Sequence, residues 1–298
     1  MPQDLTPFHG TPCLNCGSEL TGNFCAECGQ RATDTHLSVK VLVVEFVESL
    51  FSLEFGFWQT FKRMVFFPGQ LTAEYIAGRR KRYSSPIRLY LATSLIFFFL
   101  ISFLGETSRV NVTDDEGNTT VLTGQEAKDA LREGFNDALG DAESDSTLAE
   151  VFGDVPGGEA LTRVMRDPDG AERRFMTYLP RAMFLMVPIS ALLFRFVYVR
   201  HKRPYLHYLV FSLHLHALFY LTASIAGLVG RIQPEPVGDS LALLLLLTFP
   251  VNAVRGQRRA FGDSWWKAAL KAGIVWHVYG IFLGLVITGV IAAMVFLG

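Results

Sequence analysis

The chain has 298 residues, of which 50% are hydrophobic and 18% charged, and its mean hydropathy is +0.29. Soluble domains carry about 25% charged residues, so this composition excludes a disordered chain and argues against an ordinary water-soluble enzyme. The formal net charge of −1 hides a division: residues 105–174 hold 17 acids and 7 bases, a net of −10, and the remainder carries +9. An acidic insert in an apolar, basic chain is how a multi-pass membrane protein partitions its charge.

At the amino end all four cysteines fall within the first 28 residues, as Cys13-Leu-Asn-Cys16 and Cys25-Ala-Glu-Cys28. Two such pairs can place four thiolates around one Zn²⁺, with Zn–S bonds near 2.3 Å. Gly17 and Gly29 follow the second cysteine of each pair, where a positive φ lets the chain turn back and aim backbone amides at the sulfurs. Leu20 and Phe24 could cover the site, but a segment this short needs the metal for its folding energy. Two disulfides, or a redox pair, are the competing readings; a reducing compartment disfavours the first. Four protein ligands leave no open position, so the site reads as structural. The local charge is nearly balanced, and nucleic acid is not an expected partner. The first ~35 residues lack the apolar core that a cleavable signal peptide needs.

Residues 37–86 are apolar and aromatic but interrupted by Glu45, Glu48, Glu54, Lys62 and Arg63. That pattern predicts amphipathic helices lying in the headgroup plane or against a bundle. Phe66-Phe67-Pro68-Gly69 breaks the region, and residues 70–77 read as a further short helix. Arg79, Arg80, Lys81 and Arg82 follow, immediately before the first apolar span. Besides setting topology, these four bases are candidate contacts for anionic phospholipid, at about 1 kcal/mol each near the surface.

Five stretches approach the roughly 20 apolar residues that a membrane crossing requires: 87–104, 179–199, 206–229, 237–254 and 272–297. Basic clusters precede the first span, separate the second from the third (Arg200, Lys202, Arg203), and separate the fourth from the fifth (Arg255, Arg258, Arg259, Lys267, Lys271). Five crossings put all three on one side, which predicts a cytoplasmic amino end, an outer carboxyl end and an outward-facing acidic insert. Within the insert, residues 110–113 and 119–122 read as a β-hairpin and 125–139 as a helix. Asp141, Glu143 and Asp145 alternate like Ca²⁺ ligands, but Ser146 stands where a calcium loop needs glycine.

Ionisable groups inside a span are costly and mark candidate sites. His207, His214 and His216 lie on the third span and His277 on the fifth. His207 and His214 share a face about 10.5 Å apart, too far for one ion. His207 and His277, with Tyr205 or Tyr279, are the candidate pair for holding a metal or passing a proton; interhelical hydrogen bonding is the structural alternative. Gly280, Gly284, Thr288 and Ala292 form a small-residue stripe that predicts close packing, within the bundle or in a homo-oligomer. No catalytic triad, His-Glu-x-x-His or phosphate-cradling glycine loop is present.

The cysteine pairs ending Phe24-Cys25-x-x-Cys28-Gly29-Gln30, then Trp58-Gln59-Thr60, Phe67-Pro68-Gly69, residues 75–80 (Tyr-Ile-Ala-Gly-Arg-Arg) and Arg82-Tyr83-x-x-Pro86 occur in that order. With Leu179-Pro180, Pro188 and the run from His207 to His216, they resemble a bacterial family catalogued as domain of unknown function 3667. The resemblance covers most of the chain outside the acidic insert. It implies a zinc-ribbon-headed multi-pass inner-membrane protein and brings no reaction or catalytic residue.

The expected architecture is thus an all-α membrane protein of about five transmembrane helices with an amino-terminal zinc ribbon. Its divisions are the ribbon at 1–36, interfacial helices at 37–86, a first span at 87–104, an acidic α+β outer segment at 105–178, and four further spans in 179–298. The expected function is docking of a cytoplasmic protein partner, or signalling, through the ribbon. A transporter or channel using His207, His214, His277 and Tyr205, and an intramembrane metalloenzyme acting on lipid, are the alternatives.

Overall fold

The structure, a computed structural model, describes residues 10–32, 42–43, 56–105, 109–113, 119–123, 126, 129–130 and 168–297. Most of the amphipathic region at 37–55, nearly all of the expected helix at 125–139, and the acidic trio at 141–145 lie outside the described residues.

Among the described residues the chain is mostly helical. Its elements are α1 (Gly56–Phe66), α2 (Gln70–Ile76), α3 (Pro86–Gly105), β1 (Arg109–Thr113), β2 (Thr119–Thr123), α4 (Pro168–Val197), α5 (Tyr205–Val229), α6 (Glu235–Phe261) and α7 (Trp265–Leu297). Five of the helices, α3 to α7, are long and apolar enough to cross a membrane. The chain divides into two compact units, Met1–Leu95 with Met186–Gly280, and Ile96–Leu185 with Ile281–Gly298.

The first unit is organised around α5. This helix is apolar on all sides, and 61% of its spanning window is buried, against 28% for α3 and for α4, 11% for α6 and 6% for α7. A helix that is hydrophobic all round belongs either in a core or in lipid; α5 takes the first place and α6 and α7 the second. One core cluster gathers Phe194 of α4 and Tyr198 just beyond it, Tyr208 and Phe211 of α5, Phe261 of α6 and Val275 of α7. Another packs Met64, Leu71, Tyr83 and Leu89 against Ala217 and Leu218 of α5. Leu244, Leu247 and Leu270 stand more than half exposed, a surface that water would not tolerate and hydrocarbon accepts.

Two backbone breaks bring three of the links between helices together. Pro68 disfavours helical geometry in the residue before it, so α1 stops at Phe66. Gly69 then turns the chain at φ 81° to start α2. Its Cα lies so close to α6 that a Cβ built there would fall 2.2 Å from the Gly256 carbonyl oxygen. The Arg259 guanidinium sits 5.7 Å from the Phe67 ring centroid. Gly262 ends α6 in the left-handed region, its N–H bonded to the Arg258 carbonyl, a usual helix stop. Arg203 donates to the Ala260 carbonyl at 2.8 Å. The links between α4 and α5, α6 and α7, and α1 and α2 therefore meet at one end of this unit.

In the second unit the predicted hairpin is present, antiparallel from Arg109↔Thr123 to Thr113↔Thr119, one residue longer on each strand than the pattern suggests. On α4 the Arg181 guanidinium lies 5.8 Å from the Tyr178 ring centroid, as expected of a long base whose stem lies along apolar surface.

Candidate metal centre

Each cysteine pair forms the same short turn. Gly17 N–H donates to the Cys13 carbonyl and Gly29 N–H to the Cys25 carbonyl, at 2.8 and 2.9 Å, with φ of 84° and 69° at the two glycines. Cys13 N–H then bonds the Ser18 carbonyl and Cys25 N–H the Gln30 carbonyl, and isolated bridges pair Pro12 with Glu19 and Phe24 with Arg31. The two halves are thus one motif repeated twelve residues apart, each presenting two sulfurs to the other. Leu20 is buried between them with Cys13 and Cys25, whereas Phe24 is exposed and does not cover the sulfurs as its apolar character suggests.

Across the halves, Cys13 and Cys28 Sγ are 3.7 Å apart and Cys16 and Cys25 Sγ 3.5 Å; all four ligand atoms lie within 4.8 Å of one another. A tetrahedron with metal–sulfur bonds near 2.3 Å has edges of about 3.8 Å, so the donor set fits one ion. The cysteines are free, with no disulfide among them. Hydrogen bonds from the Ser18 side chain and backbone pull the exposed Cys16 thiol down to about 6, while burial pushes Cys28 up to about 12. Four adjacent sulfurs cannot all ionise without a cation to offset their repulsion.

The head is fastened by Gln30, the residue after the second turn. Its amide donates to the Gly78 carbonyl at 2.8 Å, and its oxygen accepts from Arg80 N–H at 3.0 Å and Lys81 N–H at 3.1 Å. Leu14 packs into the space that a side chain at Gly78 would need. One buried amide therefore satisfies three backbone groups within residues 78–81, just before α3 begins. Gln30→Ala would strand those groups, at about 1–3 kcal/mol for each one left buried. The expected outcome is a head that keeps its metal but undocks, read as faster amide exchange at Arg80 and Lys81; unchanged exchange would show that the clamp is immaterial.

The four bases of that segment have different fates. Arg79 pairs with Glu74; Arg80 is buried, its guanidinium 5.3 Å from the Tyr75 ring centroid; Lys81 and Arg82 are exposed.

The structure separates the candidate histidines. His214 is buried and hydrogen-bonds the Thr72 hydroxyl of α2 at 2.9 Å. His207 is half-buried, its Nδ1 without a hydrogen-bond partner among the described residues. His277 is exposed on α7, and no hydrogen bond among the described residues joins it to His207. Tyr205 donates to the Pro188 carbonyl at 3.2 Å. The link between the third and fifth spans is instead His216 Nε2 to Tyr279 Oη at 3.0 Å, with Nδ1 on the Ser212 carbonyl at 2.8 Å. Ser212 hydrogen-bonds Ser190 of α4, and Tyr90 of α3 lies against His216 and Tyr220. Such bonds hold helices together in lipid at about 0.6 kcal/mol each. At two positions of the small-residue stripe, Gly280 and Gly284, nothing among the described residues lies within 4 Å of a built Cβ, so close packing is not observed there.

A second polar cluster is absent from the sequence expectations. Asp263, in the link between α6 and α7, accepts from the Tyr198 hydroxyl at 2.6 Å and from Lys271 Nζ at 2.8 Å; Gln257 donates to Tyr198 Oη at 2.8 Å. The signal was available, because Asp263 is the one acid between Arg255 and Lys271. Burial raises its carboxyl, but the Lys271 and Tyr198 bonds outweigh that and hold it below the usual range. A depressed carboxylate contributes stability above its unfolded pKa of about 3.9, and the contribution is lost as pH falls through the folded value. Asp263→Asn should therefore lower the thermal midpoint at neutral pH, with the difference from the parent chain closing in strong acid. A gap that persists once the pH is low enough to protonate the folded carboxyl itself would contradict that account.

Among known proteins, the model of a family described as protein of unknown function (DUF3667) matches residues 54–98, the stretch holding α1, α2, the basic segment and the start of α3. This is the family that the order of motifs resembles. No curated protein and no solved structure matches the chain.

Proposed function

We propose that the chain is a membrane-anchored docking module. A structural zinc ion folds its cysteine head on the cytoplasmic face of an inner membrane, and the head presents a binding surface to a soluble protein partner. The single observation that carries this reading is the Gln30 clamp, which joins a closed four-sulfur site to the backbone entering the first membrane helix. A metal site with no open position cannot bind substrate, so its use lies in holding a surface in place. The meeting of the Arg203 and Arg258–Arg259 links with the turn at Phe67 at one end of the helices supports a cytoplasmic head by the positive-inside rule, and with five crossings the carboxyl end lies outside.

The test is metal content and sidedness of the intact protein. Elemental analysis of protein purified from membranes should give one zinc per chain. An amino-terminal tag should be cut by protease in inside-out vesicles and spared in right-side-out ones. A metal-free chain, or a tag cut from the outside, overturns the proposal.

A further inference from the structure

A groove of about 610 Å³ is lined by Gln59, Lys62, Arg63, Phe67, Gln70 and Arg82. It is within the size range of small-molecule sites, about 300–1,000 Å³. Three of the six are cations, two are amides and none is an acid. Among the described residues none of the three cations is paired with a carboxylate. Arg63 is held in place, its guanidinium 5.5 Å from the Tyr83 ring centroid. The neighbouring bases are spent elsewhere, Arg79 on Glu74 and Arg80 against Tyr75. The groove thus gathers positive charge from α1 and from a segment about twenty residues later in the chain, an arrangement that repels itself without an anion. Arg and Lys are the usual donors to phosphate oxygens, and the two amides add further donors.

Its position names the source of the phosphate. Arg82 stands four residues before Pro86, where the first apolar span begins, and Phe66 and Phe67 beside it are 69% and 46% exposed. Exposed aromatic rings next to bases at the mouth of a span belong at headgroup depth. We propose that this groove binds the phosphate of an anionic phospholipid headgroup. The inference rests on the membrane placement of the proposed function but not on its metal.

The test uses the full chain in neutral detergent, with binding read by native mass spectrometry. Dioctanoyl phosphatidic acid should bind saturably, one per chain, and dioctanoyl phosphatidylcholine about tenfold more weakly or worse. The double variant Lys62→Gln, Arg82→Gln should weaken phosphatidic acid binding by about tenfold or more. Gln59→Glu, which keeps every cation, should also weaken it. Lys267→Gln, which removes an exposed base outside the groove, should not. Equal weakening by Lys267→Gln, no weakening by the double variant, or no saturable binding overturns the proposal. Glycerol 3-phosphate binding as tightly as the lipid would keep the phosphate site and make a soluble ester its source. Zinc is measured in the parent chain alongside the lipid: one ion per chain without saturable phosphatidic acid binding defeats the groove alone, and saturable binding by a zinc-free parent chain defeats the metal reading alone.

Discussion

Cys25→Ser with Cys28→Ser is expected to empty the metal site and unfold the head. The double variant removes one whole turn of the repeated motif, and the remaining pair, Cys13 and Cys16, supplies only two of four ligands. Structural zinc contributes about 10–16 kcal/mol to folding in small domains. The head has little to set against that loss, since its buried core is Leu20 with two cysteines. On the proposed zinc reading, bound zinc should fall from one per chain to near zero, and residues 10–32 should become a substrate for limited proteolysis. The helices should stay folded, because the clusters around Tyr208 and Leu218 contain no head residue. Full zinc retention would mean that the four sulfurs do not act as one site.

Gly69→Ala is the most damaging single change expected in the helical part. Two costs fall together. A β-carbon at φ 81° costs about 1–2 kcal/mol, and here it would also lie 2.2 Å from the Gly256 oxygen and 2.6 Å from the Gly256 Cα. Those are backbone atoms of α6, five residues before its end, which cannot swing aside as a side chain would, so overpacking adds about 1–3 kcal/mol. A loss of about 4 kcal/mol in all should appear as a much lower thermal midpoint in detergent. The reciprocal change, Gly256→Ala, meets its nearest atom at 3.4 Å and has ordinary helical φ, so it should cost little. Equal effects at the two positions would show that the contact is not as tight on the Gly69 side as the geometry requires.

The spans, the hairpin and the cysteine turns were legible because each is written in local sequence. An apolar run of ~20 residues, alternating strands around a polar turn, and paired Cys-x-x-Cys-Gly spacings need no knowledge of distant residues. What the sequence did not reveal is which polar groups meet across helices. His216, which the candidate pair of His207 and His277 leaves out, is the histidine that reaches Tyr279, because α5 is the most enclosed of the five spans. His277, the proposed partner of His207, is exposed, on a helix with only 6% of its spanning window buried. Gln30 and Gly69 were visible as letters in motifs; their partners, at residues 78–81 and at 256, lie about 50 and 190 positions along the chain, beyond the reach of any periodicity.

The contrast between α5 and α7 has a consequence for tolerance to replacement. Hydrocarbon does not distinguish leucine from isoleucine, valine or phenylalanine, so positions such as Ile281 and Leu285, 55% and 63% exposed, are interchangeable so long as they stay greasy. Val210 and Ala217, with no exposure, face neighbours of fixed shape, and even one added methylene there must displace a packed side chain. Two helices of similar hydropathy thus obey different rules, one answering to a solvent and the other to a mould.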